Sequence, residues 1–125
     1  MLTLELLKEN YSVCRLDANA PVPTWAQKGN FYSITKTKDE LSIVCETQYV
    51  LENVKVVEPD WRIFKILGPL DFSLIGILSK ISLLMAECKI SIFALSTYDT
   101  DYIMVKEEKV EEAIKALKRA GYEVQ

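Results

Sequence analysis

The stretch Ser91-Ile92-Phe93-Ala94-Leu95-Ser96-Thr97-Tyr98-Asp99-Thr100-Asp101-Tyr102-Ile103-Met104-Val105 contains two apolar runs around a short polar segment. At that spacing the pattern predicts a strand, a turn and a second strand. The connector has no Gly, Pro or Asn and instead offers hydroxyls at Ser96, Thr97, Tyr98 and Thr100 and carboxylates at Asp99 and Asp101. Binding residues often lie on loops held by a rigid scaffold, but Ser, Thr and Asp are also ordinary turn residues. Both interpretations, a binding hairpin and a solvated turn, stay open.

The segments around this hairpin complete a recognisable order of elements. A strand is predicted at Trp61–Leu67, and from Ser73 to Cys88 apolar residues recur at intervals of three and four, which is typical of a helix. Asp71 or Ser73 is the predicted N-cap. After the hairpin a second helix begins at Glu107-Glu108 and ends before Gly121, and a short strand closes the chain. The order strand, helix, strand, strand, helix, strand predicts a four-stranded antiparallel sheet with both helices on one face.

The first half of the chain is predicted to be a shortened copy of the second. Aligning Phe31 with Ile92 without gaps places Glu40 on Asp101, and about eleven residues of the first helix are then missing. The sequence therefore predicts an α+β protein of two ferredoxin-like βαββαβ modules, with a truncated module at 1–58 and a complete one at 59–125. A missing helix leaves apolar sheet surface that the other module or a second chain must cover.

Composition excludes several classes of function. The net charge is -3 and the basic residues are scattered, so no nucleic-acid partner is expected. No apolar run reaches the roughly 18 residues of a membrane span, and the start does not resemble a secretory signal, so a soluble cytoplasmic protein is expected. Histidine is absent, and the three cysteines are far apart in apolar segments, which predicts buried, reduced thiols and no metal or cofactor.

No catalytic motif is present. Binding is easier to support, because the first amides of the helix at Ser73 lack internal partners and suit a carboxylate. An ammonium held by Asp101 at the nearby hairpin would then complete the recognition of an α-amino acid. The alternative is that Ser73 and Asp101 only cap local structure, and an enzyme that uses Asp99 and Asp101 is a third, weaker interpretation.

Three further segments carry a resemblance to a known family. With the order of elements in 61–124, the segments Gly68–Leu78, Ile90–Phe93 and Ser96–Tyr102 resemble the ACT domain, a small regulatory module that senses amino acids. They are most similar to stand-alone bacterial tandem-ACT proteins, which are related to cytosolic arginine sensors and to the ACT modules of aspartate kinases.

The resemblance implies an amino-acid-binding regulatory module without catalytic activity; the alternative is a structural or protein-interaction subunit of the same fold without a ligand. It further implies a homodimer, since the arginine sensors have four modules and this chain has two, and a protein partner that reads the bound state. The ligand contacts that it implies are Ser73, Leu74, Thr97, Tyr98, Thr100 and Asp101.

Overall fold

The computed structural model describes residues 2–67 and 76–125. Three short 3-10 helices lie at Thr24–Gln27, Thr47–Tyr49 and Glu107–Lys109. The strands and helices, in chain order, are β1 (Thr3–Leu6), β2 (Tyr11–Leu16), β3 (Ser33–Lys36), β4 (Leu41–Glu46), β5 (Val57–Ile66), α1 (Ile77–Glu87), β6 (Phe93–Ser96), β7 (Asp101–Lys106), α2 (Val110–Arg119) and β8 (Glu123–Val124).

The chain forms two compact units whose boundaries differ from those expected from the sequence. One unit comprises Glu9–Trp61 and the other combines Met1–Lys8 with Arg62–Gln125. The first strand of the chain therefore belongs to the later unit, whereas the sequence pattern placed it in a module at 1–58. Strand β5 contributes its first half to one unit and its second half to the other.

The unit Glu9–Trp61 has the ferredoxin-like strand order β3-β4-β2-β5, and all its pairs are antiparallel. Both helices expected of this fold are reduced to the 3-10 helices Thr24–Gln27 and Thr47–Tyr49. The prediction of a truncated module is therefore correct for the first helix, and the second helix is also lost. One buried apolar cluster of this unit contains Cys14, Ala26, Leu41, Ile43 and Cys45. Tyr11 and Val44 are also buried but lie outside this cluster.

The later unit contains a strand, β1, that the sequence pattern assigned to the earlier module. Strand β1 pairs antiparallel with β5, with Leu4 opposite Ile66, and parallel with β8, with Leu4 opposite Val124. The sheet thus has the order β8-β1-β5-β7-β6. In the residues that the structure describes, the expected four-stranded sheet is corrected to five strands, with β1 and β8 in parallel, because β1 separates the first and last strands of the module.

Both helices of this unit pack on the same face of its sheet, as predicted. A single buried cluster contains Ile81 and Met85 from α1, Ala113 and Leu117 from α2, and apolar residues from β1, β5 and β7. Helix α2 has Glu111 and Glu112 in its first turn and Lys118 and Arg119 in its last, which favours the helix dipole at both ends. Gly121 follows it with φ of 97° and ends the helix in the left-handed conformation.

The three cysteines differ in burial. Cys14 and Cys45 are fully buried on neighbouring strands, whereas Cys88 is half-buried, and none forms a disulfide. A hydrogen bond from the Cys45 thiol lowers the pKa of Cys14. The same contact, together with burial, raises the pKa of Cys45. The prediction of buried, reduced thiols therefore holds fully for two of the three.

None of the helices in the described residues has the length and apolar character needed to cross a membrane.

Candidate functional site

The hairpin β6–β7 is closed by a four-residue turn that its own threonines hold together. The Thr97 amide donates to the backbone oxygen of Thr100 at 2.8 Å. The Thr97 hydroxyl lies 3.1 Å from the same oxygen and 3.3 Å from the Thr100 amide. Thr97 therefore stabilises the turn by local hydrogen bonds, although the turn contains none of the residues Gly, Asn and Pro that are common in turns.

Thr100 fixes this turn to the rest of its unit. Its side chain is buried, and its Oγ1 donates a hydrogen bond of 2.6 Å to the backbone oxygen of Ile66, the last residue of β5. The polar turn is consequently held beside the carboxyl end of β5. The hydroxyl proton of Thr100 is used in this structural bond, so it is not available to donate to a ligand.

The other predicted residues of the hairpin lie close to this anchor. Tyr98 is 83% exposed at the tip of the turn. Asp101 is half-buried, opens β7 and pairs with Ser96. The structure therefore brings Thr97, Tyr98, Thr100 and Asp101 together on one anchored turn.

Ser73 and Leu74, the two predicted contacts at the helix start, lie outside the described residues. The helix predicted from Ser73 is described from Ile77, and Gly76 precedes it with φ of 83°. The Gly76 backbone oxygen accepts the first helical hydrogen bond, from the Lys80 amide, at 2.8 Å. From Ile77 onward α1 agrees with the apolar pattern, whereas the predicted start at Ser73 and its predicted cap at Asp71 or Ser73 lie outside the described residues.

The unit Glu9–Trp61 contains a second copy of the turn, which corrects the alignment of the two halves. The Thr37 amide donates to the backbone oxygen of Glu40 at 2.9 Å, and the Thr37 hydroxyl lies 3.1 Å from the Glu40 amide. Lys36 pairs with Leu41 as Ser96 pairs with Asp101. Thr37 therefore corresponds to Thr97, and Glu40 corresponds to Thr100.

The predicted alignment of Glu40 with Asp101 was wrong by one residue. Such a slip exchanges the two faces of a strand. In the correct register Asp101 corresponds to Leu41, so the acid at 101 has no counterpart in the earlier hairpin. The turn of the earlier hairpin is also anchored by a different contact, because Arg15 Nη2 donates a hydrogen bond of 2.9 Å to the backbone oxygen of Asp39.

A buried acid that the sequence analysis did not single out lies at the end of β4. Glu46 is 5% exposed; its Oε2 accepts a hydrogen bond from the Asn30 amide at 3.3 Å, and its Oε1 accepts one from Gln48 Nε2 at 2.7 Å. Beside it lies an opening of about 190 Å³. The sequence feature that could have indicated a buried acid is the position of Glu46 directly after the mainly apolar segment Leu41–Cys45. Because these polar groups bind one another, we assign Glu46 a structural role.

Comparisons with known families give two matches. A model described as the ACT domain matches residues 56–119, and another, described as an N-terminal domain, matches residues 9–53. No curated protein matches the chain.

Solved structures provide matches over nearly the whole chain. Protein Atu0741 from Agrobacterium tumefaciens is 36% identical, with a TM-score of 0.93 over 99% of this chain and 92% of that chain. A protein of unknown function from Vibrio cholerae is 18% identical, with a TM-score of 0.77 over 94% and 88%. The regulatory subunit of aspartate kinase from Thermus thermophilus is 12% identical, with a TM-score of 0.67 over 94% and 96%. The last two likenesses concern the fold.

Proposed function

Because this chain belongs to the ACT-domain family, we propose that it is a regulatory module that binds a free amino acid and has no catalytic activity of its own. The family match supports a regulatory, ligand-binding module in general, and the hairpin geometry supports the more specific proposal. We place the ligand at the turn Thr97–Asp101, beside the carboxyl end of β5.

The observation that carries the proposal is the hydrogen bond from Thr100 to Ile66. A solvated turn does not require a buried anchor, whereas a binding turn must hold its polar groups in a fixed position before the ligand arrives. With Thr100 fixed, the amides and hydroxyls of the turn and the carboxylate of Asp101 keep one arrangement. In this proposal Asp101 binds the cationic group of the ligand, and Ser73 and Leu74 bind its carboxylate.

Binding would regulate by selecting one conformation of the protein. A ligand shifts a conformational equilibrium only by its difference in affinity for the two states. We propose that a protein partner recognises the state that the amino acid stabilises. We also propose that the chain acts as a homodimer, which light scattering would test directly by giving twice the mass of the chain.

A thermal-shift screen against the twenty amino acids tests the proposed function. A ligand that binds only the native state stabilises it by about 2.7 kcal/mol at a hundred times its dissociation constant, so we expect Tm to rise by several degrees for one or a few amino acids. No shift with any amino acid, together with a stable complex with another protein, would instead support an interaction subunit.

Two substitutions on the same turn locate the site. Asp101→Asn removes the proposed charge contact, and we expect it to abolish most of the Tm shift while the ligand-free Tm changes little. Asp99→Asn is the matched control, because it makes the same charge change two residues away in an exposed position. If the two variants respond alike, the assignment of Asp101 is wrong.

A further inference from the structure

The unit Glu9–Trp61 contains an opening that neither the hairpin site nor the family match explains. It has a volume of about 420 Å³ and lies beyond the end of β2, between the 3-10 helix Thr24–Gln27 and the segment that precedes β5. Small-molecule sites in proteins have volumes of roughly 300–1,000 Å³. The opening therefore has the size of a site for a small organic molecule.

The internal duplication explains why this opening exists. In the correct register the 3-10 helix Thr47–Tyr49 corresponds to Glu107–Lys109. After Lys109 the chain continues into α2, which covers its sheet, whereas at Val50 the chain becomes extended, with φ of -72° and ψ of 127°. The Val54 amide then donates to the backbone oxygen of Leu51 in a turn. A turn thus replaces a helix and leaves apolar surface uncovered.

The walls of the opening are mainly apolar. Leu16, Trp25 and Val54 are half-buried and pack against the buried cluster of this unit. Leu51 and Val56 also line the opening and are 53% and 55% exposed. Removing this much apolar surface from water would favour binding of a ligand with an aliphatic or aromatic body.

Charges of opposite sign lie at the rim of the same opening. Asp17 and Lys55 are exposed lining residues, and in the described parts of the chain neither forms an ion pair. Arg15 also lines the opening, but its guanidinium donates to the backbone oxygen of Asp39. One carboxylate and one ammonium therefore remain to meet a ligand that carries both charges.

We propose that this opening is a second binding site, for a small zwitterion with an apolar or aromatic body. Trp25 and Val54 contact the body, Lys55 binds the carboxylate and Asp17 binds the ammonium group. This site is separate from the hairpin Thr97–Asp101, and it assigns a ligand to the unit in which both helices are reduced.

Calorimetric titration with L-phenylalanine and L-leucine tests the proposal. We expect each to bind wild-type protein, whereas phenethylamine and 3-phenylpropionate, which each lack one of the two charges, should bind at least about tenfold more weakly. Absence of heat from both amino acids at millimolar concentrations would overturn the proposal.

Variants distinguish this site from the hairpin. Asp17→Asn and Lys55→Gln, which change exposed residues and leave the packing intact, should each weaken binding by about tenfold. Lys38→Gln is the matched control, because it removes an exposed charge of the same unit that does not line the opening, and it should not change the affinity. Binding that survives both Asp17→Asn and Lys55→Gln, or that is lost only in Asp101→Asn, would contradict this assignment while leaving the hairpin proposal to its own test.

Discussion

Gly29 is a position where a single methyl group is expected to disrupt the fold. Its φ is 87°, and a Cβ there would lie 2.8 Å from Cδ of Glu46, whose carboxylate is buried. The left-handed conformation costs a non-glycine residue about 1–2 kcal/mol. Displacing Glu46 adds to this cost, so we expect Gly29→Ala to lower the free energy of unfolding by about 3 kcal/mol in a urea titration.

Gly121→Ala is the control for the backbone cost alone. Gly121 has φ of 97°, but a Cβ there would meet nothing within 4 Å. We expect this variant to lose only about 1–2 kcal/mol. Equal losses for the two variants would mean that Glu46 moves aside without cost.

Thr100 provides a second test at the scale of one residue. Thr100→Val keeps the shape of the side chain but removes the buried hydrogen bond to the backbone oxygen of Ile66. Leaving a buried carbonyl unpaired costs about 1–3 kcal/mol, and we expect a loss in that range in the same titration. Thr100→Ser retains the hydroxyl, so its free energy of unfolding should stay close to that of wild type. If it falls as far as that of Thr100→Val, packing of the methyl group is the more important contribution.

The two turns allow the internal duplication to be tested at the scale of one element. The hydroxyls of Thr37 and Thr97 make equivalent hydrogen bonds to the residue three positions later, and that of Thr37 also accepts one from the Asp39 amide. We therefore expect Thr37→Val and Thr97→Val to destabilise the protein by similar amounts, about 0.5–1.5 kcal/mol each. Urea titrations of the two variants and of wild type would measure these losses. A loss of stability in only one of the two variants would contradict the proposed equivalence of the turns.

The elements themselves could largely be predicted from the sequence, whereas their alignment could not. Two short apolar runs around a polar connector in 91–105 predicted β6 and β7. The alignment failed by one residue because the wrong register matches acid with acid at Glu40 and Asp101, whereas the hydrogen bonds of the two turns and the strand pairing define the correct one.

At the candidate site, sequence could predict the residues of one turn but not the role of each. Thr100 was expected to contact a ligand, yet its hydroxyl is used to anchor the turn. The opening beside Trp25 also has no sequence motif that would predict it, because it arises where this unit has short 3-10 helices in place of longer helices. Such features depend on what neighbouring segments leave uncovered, which periodicity does not encode.

At the scale of the whole molecule, the first strand of the chain pairs with strands that lie more than fifty residues later in the sequence. Leu4 is fully buried between β5 and β8, and its backbone oxygen accepts a hydrogen bond from the Gln125 amide at 2.8 Å. The alternation of Leu2, Leu4 and Leu6 with Thr3 and Glu5 predicts a strand here, but a short strand does not specify its partners. Its place between Ile66 and Val124 therefore came only from the structure.

This connection predicts a large effect from one substitution near the start of the chain. Leu4→Ala removes a fully buried side chain and should cost about 2–5 kcal/mol. Hydrogen exchange should show faster exchange of the amides at Glu123 and Gln125, which donate to the backbone oxygens of Leu2 and Leu4. Leu51→Ala, at an exposed position, should stay within about 0.5 kcal/mol of wild type; unchanged exchange at residues 123–125 in Leu4→Ala would contradict the role assigned to β1.

The proposed amino-acid site is tested most directly by recording the amide spectrum of ¹⁵N-labelled protein while the twenty amino acids are added in turn. We expect one or a few of them to shift the amide signals of Thr97–Asp101 in a saturable manner. If no amino acid moves those signals at millimolar concentration, the hairpin is not an amino-acid site.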